Sequence, residues 1–441
     1  MQEFSPTIHG VEMIMENNSN IPKVVVVGAG FGGLWAARSL ARAPVETIIL
    51  ERNNYHTFLP LLYQVAAAEL GPEDIAHPVR NILRKLPNVR IEMANVETID
   101  ISMHRIKTGD RFIPYDYLIL ATGSETSFFG IPGASEYTFP LKTLEDAITL
   151  RNNILYCFER AIQEEDSERR HRLLTFTIVG GGPTGVEIVG ALAELIRGPL
   201  MKDFTGLDFK EVRMVLIEAS DNLLPGFPKS CRDYSNSRLR QMGIEMHMES
   251  FVMQITKDSI RLKNGQVIPT QTVIWAAGIH GASLAQNIGL ELAQNRRIKV
   301  LPTLQVSDHP EIYVIGDLAY FEDDGKSLPM IAPVAIQQAT MAACNIKRQI
   351  QGKSPESFHY RDHGVMVIIG RNTAIAQIKN RSFTGFPAWV LWLTVHIFKL
   401  IGFRNRLLVL ISWALDYFFY ERAQRIILPK RQTKDLKIPF K

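Results

Sequence analysis

Lys23-Val24-Val25-Val26-Val27-Gly28-Ala29-Gly30-Phe31-Gly32-Gly33 is the stretch on which the fold turns. Five residues, four of them β-branched, read as a buried parallel strand, and a glycine-rich turn follows with no spacer. Leu34-Trp35-Ala36-Ala37-Arg38-Ser39-Leu40 then changes to helical periodicity, and Glu46-Thr47-Ile48-Ile49-Leu50 is a second strand ending in Glu51. The spacing predicts a βαβ unit. Gly28 permits the tight turn, Gly30 lets backbone approach a pyrophosphate, and Gly33 lets helix pack on strand. The pyrophosphate would sit on free N–H groups at the helix N-terminus, with Glu51 accepting from a ribose 2′-OH.

A second copy of the pattern lies downstream. Thr175-Phe176-Thr177-Ile178-Val179 reads as a strand, Gly180-Gly181-Gly182-Pro183-Thr184-Gly185 repeats the spacing, and 186–196 reads as a helix. The strand at 212–217 ends in Glu218, further on than in the first unit because 198–210 reads as a loop insertion. Glu218, with no arginine beside it, favours NADH, since a 2′-phosphate would meet a like charge. Two such sites in one chain are far more specific than one.

The remaining segments are consistent with this plan. Tyr55-His56-Thr57-Phe58-Leu59-Pro60-Leu61-Leu62-Tyr63-Gln64 is apolar and proline-interrupted and suits the wall of a flat aromatic ligand; His56 and His77 lack partners at metal spacing and read as structural. Residues 75–86 and 144–163 read as helices, and 164–172 as a charged connector. Residues 254–268 read as a small hairpin. Two apolar strands end in small residues, Ala121-Thr122-Gly123 and Ala276-Ala277-Gly278, and a third ends in Gly316-Asp317, where open α/β sheets bind ligands.

A chain of 441 residues predicts two or three domains, and 46% hydrophobic with 21% charged residues excludes a disordered protein. The net charge of +4 is unevenly placed: residues 402–441 hold nine Lys/Arg against three Asp/Glu. The basic character therefore belongs to a tail, and no nucleic-acid motif accompanies it. Three scattered cysteines, Cys157, Cys231 and Cys344, form no disulfide framework or metal spacing. Residues 1–20 read as a frayed tail and not as a targeting signal.

The order of these motifs resembles the two-dinucleotide-binding flavoproteins of glutathione-reductase-like fold. More narrowly, Asn54-Tyr55-His56-x-Phe58-x-Pro60-Leu61-Leu62-Tyr63-Gln64-Val65-Ala66, Ile331-Ala332-Pro333-Val334-Ala335-Ile336-Gln337-Gln338-Ala339 and Gly402-Phe403-Arg404-Asn405-Arg406 are similar to type II NADH:quinone oxidoreductases, from about Lys23 to Ile427. The resemblance implies an α/β fold of two Rossmann-like domains and a C-terminal helical membrane-anchoring region. FAD would occupy 21–145 with 275–360, NADH 146–274, and 361–441 would form the membrane-binding part. FAD would be held by Gly28, Gly30, Gly33, Glu51, Arg52, Thr122, Gly123, Gly316 and Asp317; NADH would be held by Gly180, Gly182, Gly185, Glu218 and Gly278.

Hydride would pass from NADH to FAD and two electrons on to a membrane quinone without proton pumping, as in respiratory electron transport. No metal is required, because the cofactor carries the chemistry. Gln337 fits the second glutamine of a quinone-side motif whose first position is here Pro333, and Glu187 matches a carboxylate near flavin and nicotinamide; an ordinary first-turn helix acid is an equal reading of Glu187. The absence of Cys-x4-Cys after the first fingerprint removes disulfide reductases. A soluble reductase of a ferredoxin-like partner and a sulfide:quinone-type enzyme remain as alternatives.

Residues 386–401 and 407–420 are rich in Trp, Phe, Leu and Ile, yet the uncharged run 382–398 is only 17 residues, short for a spanning helix. Asn405, Ser412 and Asp416 make a narrow polar stripe, and Arg404, Arg406, Arg422, Arg425, Lys430 and Arg431 surround it. This reads as an interfacial helix pair on an anionic bilayer, separable from the nucleotide sites by truncation after Arg381. The expected location is peripheral, on the cytoplasmic face of a bacterial inner membrane. A buried helical hairpin or a homodimer interface is the alternative.

Overall fold

The computed structural model describes residues 21–419, 422 and 424–428; the 1–20 tail, Lys430 and Arg431 lie outside the described residues. Two compact units divide the chain. The first comprises Met1–His56, Pro78–Glu125 and His280–Tyr360, and the second Thr57–His77, Thr126–Ile279 and Arg361–Lys441. The chain leaves the first unit and re-enters it twice. The segment at 57–77 and the C-terminal region, however, cluster with the second unit.

In the first unit the valine run is buried at both faces, as a central parallel strand requires. The sheet runs Gln305–Val306, His309–Val314, Tyr117–Leu120, Lys23–Val27, Glu46–Glu51, Val89–Met93, parallel except at its first edge. Phe31–Leu40 packs on Ala332–Ile350 through small side chains, Ala36 and Ala37 against a helix whose buried face includes Ala339, Ala342 and Ala343. A hairpin turns at Gly109, with Arg105–Thr108 antiparallel to Arg111–Pro114.

The second unit repeats the design with a five-stranded parallel sheet, Thr138–Pro140, Thr272–Trp275, Thr175–Val179, Arg213–Ile217, Glu245–His247. The hairpin expected over 254–268 is a three-stranded antiparallel sheet, begun by Val252–Ile255.

Three local expectations are corrected. The 198–210 insertion is largely helical: Pro183–Leu195 runs on through a wide turn at Ile196–Leu200 and a further turn at Met201–Asp203. The charged connector holds a helix, Ser167–Leu173, because Asp166 caps it, Oδ1 accepting from Glu168 N at 2.9 Å and Arg169 N at 3.2 Å. The helix expected over 75–86 shrinks to Val79–Leu83, since Pro78 bars helical geometry at His77.

The C-terminal region forms an antiparallel sheet, Val365–Ile368, Ala374–Ile378, Arg381–Gly385, followed by helices Phe386–Lys399 and Phe403–Phe419. It is part of the second unit's core and not a separable tail. Trp392 is fully buried, and removing it would cost about 3–5 kcal/mol. Truncation after Arg381 would therefore leave a hole in the unit rather than merely release it from a surface. The polar stripe faces inward: Asn405 Nδ2 donates to the Glu73 and Asp74 carbonyls at 3.2 and 3.0 Å, and Asp416 lies 3.6 Å from Arg422. Arg422, expected at a lipid surface, is buried, and Arg425 pairs with Asp203 at 2.7 Å. What the helices expose instead is apolar, including Phe386, Phe398, Leu410, Phe418 and Phe403, the last 81% exposed. Among the described residues no helix is long and apolar enough to cross a membrane.

Candidate functional site

The first fingerprint loop closes on the end of its own sheet. Gly28 has φ +100°, and a Cβ there would sit 2.5 Å from the Ala121 carbonyl oxygen; at Gly33 a Cβ would be 1.8 Å from the Gly28 carbonyl oxygen. Neither position admits another residue. Gly30, by contrast, has open space around it, as a loop that backs onto a ligand should. Glu51 ties the turn together, Oε2 accepting from Ala29 N at 2.7 Å and Oε1 from Asn53 N at 3.0 Å. His56, read as structural, braces the loop: its Nδ1–H donates to the Ala29 carbonyl at 2.9 Å and its ring stands edge-on to Phe31.

Around this loop the unit gathers Thr122, Gly123, Gly316 and Asp317. The Thr122 hydroxyl oxygen is buried with no hydrogen-bond partner among the described residues, and Gly123 has φ +73° with open space beside it. Ser124 Oγ donates to Asp317 Oδ2 at 2.5 Å. Arg52 is exposed. An open glycine cradle, an orphaned hydroxyl and a carboxylate at the carboxyl ends of parallel strands fit the pyrophosphate and polyol of FAD.

Sequence reasoning missed Gln338. It is fully buried, Oε1 accepts from the Gly316 amide at 2.7 Å, and its Nε2 has no partner among the described residues. The signal was present: positions 334, 335, 338, 339 and 342 form one buried helical stripe, and a glutamine on such a stripe must bond something. Gln337, one position away, is half-buried on the same helix.

The second loop is built alike. Gly180 has φ +112° and a Cβ would lie 2.6 Å from the Ala276 carbonyl oxygen; at Gly185 a Cβ would lie 1.8 Å from that of Gly180, while Gly182 is open. Glu218 Oε2 accepts from Gly181 N at 2.5 Å, and Oε1 from both the amide and hydroxyl of Ser220 at 2.8 Å. Gly278 lies beside the Phe129 ring, which a Cβ there would meet at 2.4 Å. The open cradle and a carboxylate at the strand end fit an adenine dinucleotide whose ribose bears a free 2′-OH.

One turn into the second fingerprint helix, Glu187 opens onto a cleft within the second unit, shared with Tyr63, Gln64, Glu69, Glu194 and Trp413. Burial pushes Glu187 up to about 8, against weaker opposing pulls from the Ile368 amide and Trp392, so it holds a proton at neutral pH. This is more than a helix-dipole acid would show, for the dipole lowers a carboxyl pKa. His396, stacked on Trp392, is pushed down to about 4 by burial and is neutral, with Nδ1–H donating to the Trp392 carbonyl at 2.7 Å. No cluster able to hold a metal occurs among the described residues.

Residues 22–339 match the model of the pyridine nucleotide-disulphide oxidoreductase family. The chain is 37% identical to the type II NADH:quinone oxidoreductase Ndh of Mycobacterium tuberculosis, over 92% of this chain and 90% of that one. It belongs to the type II NADH:quinone oxidoreductase family. A second relative from the same organism, the type II NADH:quinone oxidoreductase NdhA, is 35% identical over 92% of this chain and 89% of its own. Among solved structures, NDH2 from Plasmodium falciparum in complex with NADH has the same fold, with a TM-score of 0.85 at 21% identity, covering 93% of this chain and all of that one. Membership in the type II family accounts for two dinucleotide cradles in one chain, and with it for FAD and NADH as cofactors.

Proposed function

We infer that this type II NADH:quinone oxidoreductase takes NADH on the second unit's fingerprint, holds FAD on the first, and reduces a quinone drawn from a membrane. The single observation that carries the redox part is the pair of acid-braced glycine cradles in a chain of this family. FAD, when bound, supplies the chemistry: it accepts hydride from nicotinamide and returns two electrons to quinone. The chain's residues bind and orient. Gly28, Gly30, Gly33, Glu51, Thr122, Gly123, Gly316 and Asp317 would hold FAD, with Gln338 fixing the Gly316 amide and Arg52 at the solvent edge. Gly180, Gly182, Gly185 and Gly278 would hold NADH, and Glu218 would repel a 2′-phosphate. Glu187 would present a neutral carboxyl, and Gln337 is the quinone-side candidate.

Membrane association rests on the inverted helix pair. Its polar stripe is spent on the protein, and its outer face carries Phe386, Phe398, Phe403, Phe418 and Phe419. A few such side chains contribute about 1.5–3 kcal/mol each when buried, against roughly 1 kcal/mol for each basic residue near anionic lipid. Apolar insertion therefore dominates, with Arg404 and Lys399 assisting. The surface would be the cytoplasmic face of the membrane, where NADH is present; a homodimer using the same helices is the competing occupant.

Purified full-length protein should oxidise NADH with a soluble quinone analogue as acceptor and release FAD on heating. It should stay on anionic vesicles in high salt and leave them in detergent. Turnover with ferricyanide or a ferredoxin but not with quinone would overturn the acceptor; release by salt alone would overturn the apolar contact.

A further inference from the structure

Arg422 lies within a basic C-terminal stretch, yet its side chain is 2% exposed and is shared by three carboxylates. Its Nη2 donates to Glu69 Oε1 at 2.7 Å and lies 3.3 Å from Glu194 Oε2, while Nε is 3.6 Å from Asp416 Oδ1. Nη1 donates to the Ala67 and Ala191 carbonyls, both at 2.9 Å. One buried guanidinium faces three carboxylates that are only partly exposed, and its single positive charge cannot balance all three when ionised. Arg371 adds its backbone N–H to Glu194, but its own guanidinium covers the Tyr417 ring at 4.3 Å and bonds the Tyr417 carbonyl. The cluster therefore retains a proton at neutral pH.

Glu69 is the group that holds it. Its Oε2 is buried with no hydrogen-bond partner among the described residues, whereas Oε1 takes the Arg422 contact. Burial pushes its carboxyl up to about 8, Arg422 opposing and Asp416 and Glu194 adding to the rise. The same cleft connects it to Tyr63, Gln64 and Glu187. Gln64 Nε2 donates to the Tyr63 hydroxyl at 3.1 Å and Trp413 Nε1 donates to Gln64 Oε1 at 3.0 Å. That chain fixes the amide so that the Tyr63 oxygen accepts on one side and its own proton is free to be donated on the other.

Reduction of a quinone to a hydroquinone takes two electrons and two protons, and a hydride from NADH brings both electrons but only one proton. The other must come from water. Resting on the reading that the acceptor is a quinone, we propose that the Glu69–Glu194–Asp416 carboxylates around Arg422 hold this second proton and release it through Tyr63. The two side chains share a cleft without a direct hydrogen bond, so a water in it takes the proton as the Glu69 O–H bond breaks and passes one to Tyr63, which gives its own to the quinone oxygen; bulk water then returns a proton to Glu69. The charged groups facing Glu69 are Arg422 and Asp416 from the C-terminal region and Glu194 from the fingerprint helix, while Glu187 of that helix acts on Tyr63. Arg371 and Arg238 act through Glu194, and Tyr63 lies on the segment that carries Glu69.

The test uses full-length, FAD-loaded protein and the ratio of quinone-analogue turnover to ferricyanide turnover, since ferricyanide takes electrons without protons. In the wild type this ratio should fall as pH rises through about 8. Glu69→Gln should lower it roughly tenfold or more and abolish the inflection. Asp416→Asn, which removes a negative neighbour, should move the inflection to lower pH. Glu69 acting only as a structural ion-pair partner would leave pH profile and ratio as in the wild type in both variants, and that result overturns the proposal. Should Glu69→Gln fail to fold, the direction of the Asp416→Asn shift decides. Wild-type protein that reduces ferricyanide but no quinone would instead defeat the acceptor assignment, and with it this inference.

Discussion

The two fingerprint loops share one construction, and they differ at the positions that the glycine pattern leaves open. In both, the first glycine is left-handed and backs onto a carbonyl, the third would put a Cβ 1.8 Å from the first glycine's oxygen, and an acid accepts from the intervening amide. The first loop has Ala29 where the second has Gly181; a Cβ at Gly181 would meet Leu223 at 2.5 Å. Two residues after the third glycine, the first helix carries Trp35, its ring tilted at 40° against Phe31 with Arg38 over its face, and the second carries Glu187. The cradle is thus generic. What separates a site for a resident cofactor from one for an exchanging substrate lies in its neighbours.

The sharpest way to break this comparison is at the third glycine. Gly33→Ala and Gly185→Ala should each cost more than about 3 kcal/mol locally. Gly33→Ala should yield colourless, flavin-free protein, whereas Gly185→Ala should stay yellow and lose reduction by NADH. Absorbance spectra before and after NADH distinguish them, and loss of flavin in both would erase the assignment of sites.

Next in size are the middle glycines, where a side chain meets nothing in the protein. Gly182→Ala should leave Tm in place and raise KM for NADH by roughly tenfold, equal to about 1.4 kcal/mol of lost binding. A change in Tm without a change in KM would show that the open space is not a ligand space.

Smaller again is the effect of Glu218→Gln, expected to narrow the NADH over NADPH preference by several-fold in kcat/KM, because a neutral amide no longer repels a 2′-phosphate. An unchanged ratio would move nucleotide choice away from this carboxylate.

The least effect should come from Glu187→Gln, read as stability against pH. A carboxyl whose folded pKa is raised to about 8 contributes stability that is present below its unfolded value and lost as pH climbs through 8. Tm of the variant relative to wild type should therefore rise with pH from about 4.5 to about 8 and level off above it, and no such trend is expected for Trp35→Phe. A pH-independent difference would leave Glu187 ionised and the two helices alike.

Much of the fold was legible because its signals are local. The valine run, the glycine spacing and the acid at the next strand end lie within one βαβ unit, and the second unit repeats them. Errors fell where a local signal was overruled or absent. Asp166 caps a helix inside a stretch whose charges suggested a connector, and the helix after Leu195 persists by a wide turn that accommodates Pro199. At the sites, strand ends and glycines were readable, whereas Gln338 needed its burial to be noticed.

The sequence by itself determined two glycine cradles, their order and the acid that braces each, because each depends on backbone geometry and on a charge only a few residues or one strand away. Which face of the C-terminal helices meets the protein was decided only by tertiary structure. Helical periodicity defines a polar stripe without saying what it touches, and here Asn405 and Asp416 find carbonyls and an arginine inside the unit. The same holds for Arg422: in the sequence it is one more basic residue of a basic tail, and folding brings it to Glu69 and Glu194, 353 and 228 residues away, where burial turns surface charge into a proton-holding cluster.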